Sequence, residues 1–305
     1  MPPTLTAAFV GSDTLLLQCL EVWRARGHGV AAVATDADKV RRYCAENGLR
    51  CVDATGDLAE ALGGEAFDHL FAITWLELLP DAVLRLPKRY AINFHDGPLP
   101  RYAGLNATCW AILHGERQHG VTWHVVEPDA DTGDVLLQET FAIAPDDTAF
   151  TLNARCFQHG QETFERLVDH LAAGDVARRP QDPAQRTYFG RQARPEALAV
   201  LDFAQPAEAV ARLVRAFDHG GYPNPVAIAK VRAPGGVFVP GGAEVVGASG
   251  GAAGAAGTVT EVAEDAVQVA CSDGAVRLTR LRCLRGLPRE RRGPDDARGV
   301  DRARP

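Results

Sequence analysis

The sequence contains no run of about 18 apolar residues, so no membrane span is expected. Its start, MPPTLTAAFVGS, lacks the basic-then-apolar layout of a signal peptide, and a cytoplasmic address is the default expectation. The seven cysteines (Cys19, Cys44, Cys51, Cys109, Cys156, Cys271 and Cys283) are odd in number and form no C-x-x-C. That fits free thiols in a reducing compartment better than a disulfide or zinc framework. Positive charge is in deficit: 32 Lys and Arg against 39 Asp and Glu give a net charge of −7, which offers no general affinity for polyanions. The turn after the first apolar stretch holds only Gly11 rather than G-x-G-x-x-G, so a dinucleotide pocket is poorly supported. What is present is a chain of 305 residues, 46% apolar and 23% charged, long enough for a large core and two domains.

Along the chain, Leu5 to Val10 reads as a buried strand, followed by a helix capped by Ser12 or Asp13 and running to about Arg26. A strand over Val30 to Ala34, a helix over Asp36 to Asn47, a strand over Arg50 to Val52 and another over His69 to Ile73 continue the pattern. This βαβ alternation predicts a parallel, Rossmann-like α/β sheet. Thr74 to Pro80 (TWLELLP) follows as an apolar segment at the sheet's carboxyl edge, able to wall a flat ring or to pack a helix started by Pro80 and Asp81. Asn106 is expected to cap a helix to Gly115, Gly120 to Val126 and Val135 to Ala144 are strands, and Thr148 or Thr151 opens a long helix closed by Gly174. Residues 177–204 read as a surface linker rich in Pro and Arg. An amphipathic helix over Pro206 to His219 and six short strands from Val226 to Leu281 suggest a small OB-like barrel spanning 205–284. The tract 247–257 reads as a mobile loop, and the tail 285–305, without apolar pattern, as disordered.

The stretch Ala91 to Gly104, AINFHDGPLPRYAG, carries the chemistry. An apolar strand breaks at His95 into a Gly- and Pro-rich loop, the form taken by strand ends where an α/β sheet binds ligands. Asn93 and His95, two apart, point to one side of the strand. An amide that donates without titrating and an imidazole that can donate in either charge state suit an oxygen that becomes negative during reaction. A carboxylate at Asp131, in EPDADTGD, favours the imidazolium and would orient it. His124 reads as a structural residue of a sheet face and Cys109 as a packing residue. Asp129, Asp131 and Asp134 lack the spacing of a calcium loop, so metal is not expected.

Asn-x-His followed by the Leu-Pro loop, Arg-Tyr-x-Gly and then Asp-x-Gly-Asp resembles the 10-formyltetrahydrofolate-dependent formyltransferases, and the likeness runs to about Leu284. The wider family formylates methionyl-tRNA, amino sugars, glycinamide ribonucleotide and carrier-bound amino acids. The resemblance places the family's catalytic Asn, His and Asp on Asn93, His95 and Asp131. It places folate contacts on Glu77, Leu78, Leu79 and Leu105, and on Glu127, Pro128, Asp129, Ala130 and Asp131. It implies a catalytic domain over 1–176, the linker, and the OB-like domain. The formyl donor would be 10-formyltetrahydrofolate. The stretches NFHDGPLPRYAGLNATCWAI and HGVTWHV look most similar to formylation domains of nonribosomal peptide assembly lines, with Asp96, Gly97 and Pro98 replacing the Pro-Ser-Leu of tRNA enzymes. The expected acceptor is therefore an aminoacyl group on a carrier protein in natural-product biosynthesis. A nucleotide-linked amino sugar or other small amine is the alternative; methionyl-tRNA, or water in a hydrolase, is less favoured. Oligomeric state is not legible.

Overall fold

A computed structural model describes residues 3–247 and 254–284. Most of the Gly-rich tract and the whole tail, for which mobility and disorder are expected, lie outside the described residues. The chain divides into two compact units, Met1–Pro195 with Arg212–Ala227, and Glu196–Ala211 with Ile228–Pro305.

In the first unit the elements run β1 (Thr6–Gly11), α1 (Thr14–Ala25), β2 (Gly29–Thr35), α2 (Asp38–Glu46), β3 (Cys51–Asp53), α3 (Leu58–Leu62), β4 (His69–Ile73), α4 (Asp81–Leu84), β5 (Tyr90–His95), β6 (Ala103–Gly104), α5 (Ala107–Leu113), β7 (Gln118–Val125), β8 (Val135–Ala142), α6 (Ala149–Ala173) and β9 (Tyr188–Phe189). Seven strands form one sheet in the order β3-β2-β1-β4-β5-β7-β8. Alternation along β1 sends Ala7 and Phe9 into a core under α1 and α6, and Ala8 and Val10 into a second core with Leu58, Leu62 and Val83. Both faces are covered, which is why these strands read as unbroken apolar runs. The caps follow the sequence: Asp13 accepts from Thr14 N–H at 2.6 Å, and Thr148 with Thr151 forms a reciprocal capping box. Asn106 does not cap as expected. It starts α5 in a left-handed conformation, φ +59°, without a side-chain hydrogen bond.

The sheet departs from the all-parallel expectation at one edge. β3, β2, β1, β4 and β5 are parallel, but β7 runs antiparallel to β5, and β8 antiparallel to β7. The connection from β5 to β7 contains only β6 and the seven-residue α5. It stays at the carboxyl end of the sheet, so the chain returns in the opposite sense.

The stretch read as a linker is ordered at its front. Arg179 bridges to Val135, β9 pairs with β6, and the Phe189 ring stacks on Trp110 at 4.7 Å. These ties use single residues and side chains, which leave no periodic signature in the sequence.

After α7 (Ala207–Ala216) the second unit carries β10 (Val231–Ala233), β11 (Gly236–Val239), β12 (Gly242–Val246), β13 (Val259–Val262), β14 (Ala266–Ala270), β15 (Ala275–Thr279) and β16 (Arg282–Leu284). They hydrogen-bond as two antiparallel sheets, β10-β11-β16 and β12-β15-β14-β13. The first expected strand begins later than read, because Asn224 accepts from the N–H groups of Val226 and Ala227 and holds them in a turn. The last is split by Arg280, whose φ of +50° breaks the strand before β16.

Candidate active site

The end of β5 places Asn93 and His95 on one side and turns Phe94 into the core against Trp123, 5.1 Å away. Antiparallel pairing sets His124 opposite Asn93 and Thr122 opposite His95. The register thus places His124, read from sequence as a structural residue, beside Asn93 and Asp131 at the cavity. The signal for it is the strand register, which the sequence alone does not carry. Asn93 Nδ2 lies 3.1 Å from His124 Nε2. Nδ1 donates to the Val125 carbonyl at 2.8 Å, so Nε2 accepts from the Asn93 amide when the ring is neutral and donates to Asp131 when the ring is charged. The second N–H of that amide remains for a substrate oxygen.

His95 is 4% exposed and donates from Nε2 to the Tyr102 carbonyl at 2.8 Å. Its Nδ1 therefore faces Asp131, whose Oδ2 is 3.7 Å away, within ion-pair range but longer than a hydrogen bond. Asp131 Oδ1 is 3.3 Å from His124 Nε2, and Oδ2 accepts from Gly104 N–H at 2.7 Å. Burial pushes the Asp131 carboxyl up, but His95, His124 and the Gly104 N–H outweigh it and hold it well below the usual carboxylate range. Asp131 is thus a buried, ionised carboxylate shared by two imidazoles. Gly97 completes the packing: a Cβ there would lie 2.7 Å from His95 Nε2.

These groups open onto a cavity of about 840 Å³ at the carboxyl edge of the sheet. Of the residues expected to contact folate, Glu77, Leu78, Leu79, Leu105, Glu127, Ala130 and Asp131 line it, while Pro128 and Asp129 do not. The walls fit a flat, drug-sized ring system. Leu76 and Leu78 are 68% and 66% exposed, and Trp75, also in the wall, buries an Nε1–H that has no hydrogen-bond partner. The core reading of TWLELLP holds as well, since Leu79 is buried among the second core's residues.

Cys109 is buried and its Sγ lies 3.0 Å from His219 Nε2. Burial and the nearby Asp96 push its thiol up to about 12, which favours a neutral Sγ–H donating to His219. His219, unlike Cys109, lines the cavity. Glu139, His159 and Glu162 could group around a cation, but Arg166 ion-pairs with Glu139. No helix among the described residues is long and apolar enough to cross a membrane.

Comparison with known proteins identifies the family. Residues 24–168 match the formyl transferase family, and residues 196–286 match the formyl transferase C-terminal domain. A methionyl-tRNA formyltransferase of Acidithiobacillus ferrooxidans is 37% identical over 224 residues, covering 73% of this chain and 68% of that protein. One of Ectopseudomonas mendocina is 31% identical over 308 residues, covering 94% and 93%. The N-formyltransferase of Helicobacter canadensis, solved with folinic acid and dTDP-3-aminofucose, shares the fold with a TM-score of 0.71 at 17% identity, covering 92% of this chain and all of that one. The chain belongs to the formyl transferase family. It is an N-formyltransferase that transfers a formyl group from 10-formyltetrahydrofolate to an amine.

Proposed function

We propose that the acceptor is the primary amine of an aminoacyl group held on a carrier protein, and that the enzyme serves natural-product biosynthesis. The observation that carries this reading is the charge of the cavity. Among its lining residues the guanidinium is Arg191, and it is tied to Glu77 at 2.6 Å, while Asp13, Asp96, Glu127 and Asp131 are acidic. A phosphodiester or pyrophosphate bound within the cavity would need cations that this lining does not supply. An uncharged thioester arm carrying a free amine needs none. The motif Asp96-Gly97-Pro98 supports the same choice. The second reading, methionyl-tRNA, is favoured by the curated relatives, 31% identical over 94% of this chain.

The donor supplies an activated formyl carbon, and Glu77, Leu78, Leu79, Leu105, Glu127 and Ala130 form the walls that would hold it. Asn93 donates its free N–H to the formyl oxygen as that oxygen becomes negative. His95, with Nε2 fixed on the Tyr102 carbonyl, presents Nδ1–H to the same oxygen when protonated, and Asp131 stabilises that charge. His124 orients Asn93 and shares Asp131. Release of tetrahydrofolate, followed spectrophotometrically with an aminoacyl carrier protein, a nucleotide-linked amino sugar and methionyl-tRNA, tests the choice. Turnover with the carrier protein, lost in His95→Ala, is expected. Turnover with tRNA or sugar alone would replace the acceptor.

A further inference from the structure

Asp131 has a φ of +55°, in the left-handed region, which is costly for a residue with a Cβ and persists only where the surroundings enforce it. Two side chains from the stretch read as a linker do so. Gln181 Nε2 donates to the Asp131 carbonyl at 3.0 Å and to the Gly133 carbonyl at 2.7 Å. Arg186 donates from Nη1 to the Asp131 carbonyl at 3.3 Å and from Nη2 to the Ala130 carbonyl at 2.8 Å. Three peptides around the carboxylate are thereby held by two neighbouring side chains.

The same stretch holds the other partner of His95. Tyr102, whose carbonyl receives His95 Nε2–H, is itself left-handed at φ +59°. Its N–H donates to Thr187 Oγ1 at 2.8 Å, Ala103 N–H donates to the Thr187 carbonyl at 3.0 Å, and its ring lies nearly parallel to Phe189, 5.8 Å and 16°. Each ring nitrogen of His95 faces a group whose strained backbone is clamped from residues 181–189. The bridge between Arg179 and Val135 anchors the clamp on β8.

We infer that residues 179–189 are a strap that positions the reaction centre, with Gln181 and Arg186 as positioning residues for Asp131 and Thr187 for Tyr102. The inference rests on the proposed roles of His95 and Asp131. Gln181 and Arg186 act through Asp131, so the loss of either is felt only where Asp131 is intact. The test is a double-mutant cycle in the full-length chain, with single-turnover rates measured so that slow variants remain readable and folding confirmed by circular dichroism. Arg186→Ala should lower the rate about 10- to 100-fold in the native background, the usual consequence of a small misplacement of a catalytic group. In the Asp131→Asn background it should lower the rate by less than about threefold, because sites in one network do not add. Arg186→Lys, which keeps the charge and one donor nitrogen in place of two, should recover part of the loss. Equal factors in both backgrounds would overturn the strap. Should Arg186→Ala not fold, Gln181→Ala, which leaves the Arg186 contacts, is carried through the same comparison. Full activity of His95→Ala would instead remove the reading beneath it, whatever the strap variants did.

Discussion

Asn93 and His95 are legible as candidates because residue type and a short spacing suffice, and Asp131 is legible through the Asp-x-Gly-Asp resemblance. Two positions apart on a strand end is enough to put an amide and an imidazole on one side. His124 does not announce itself, since its place opposite Asn93 depends on the register of β7 against β5. The two make a joint prediction. Asn93→Ala removes one donor to the developing oxyanion and should lower turnover roughly 100-fold or more. His124→Phe leaves Asn93 and Asp131 without their shared partner and should also lower turnover, with donor binding by fluorescence titration retained in both. Undiminished turnover in a folded Asn93→Ala enzyme would take Asn93 out of the role. Gln181 and Arg186 are illegible for a related reason: they act on backbone carbonyls, which leaves no motif, and Tyr102, though part of Arg-Tyr-x-Gly, acts through its carbonyl and a left-handed φ.

At the scale of elements, strands buried on both faces and helices with clear caps were legible, and β4 runs over the residues expected of it. What was misread turns on connections. β7 looks like any other strand until the short route through α5 forces it antiparallel, and the strap lacks periodicity because single residues rather than ladders tie it down. β4 also bears a pH-sensitive group. His69 is fully buried, and burial, with a smaller contribution from Arg89, pushes it down to about 4 from 6.5. The unfolded chain thus binds a proton that the folded chain refuses across that window. Stability is therefore full above pH 6.5 and falls as the pH drops towards about 4, by about 3 kcal/mol at most from this residue. Chemical denaturation of His69→Phe should show a shallower loss between those pH values. Parallel curves for the two proteins would contradict the assignment.

For the whole molecule, the two compact units interleave along the chain, Met1–Pro195 with Arg212–Ala227 and Glu196–Ala211 with Ile228–Pro305, where the sequence suggests a simple succession of domains. Assigning the strap and residues 212–227 to the first unit depends on three-dimensional contacts and not on the order of the chain. The net charge of −7 and the cavity lining, where Arg191 is engaged by Glu77, support the proposed acceptor, an amine presented on an arm without phosphate at the reacting end. The most direct test of that claim is intact-protein mass spectrometry of an aminoacyl carrier protein incubated with 10-formyltetrahydrofolate and the enzyme. The account predicts a mass gain of one formyl group on the aminoacyl arm, absent with His95→Ala. An unmodified carrier protein, with formylated methionyl-tRNA formed under the same conditions, would contradict it.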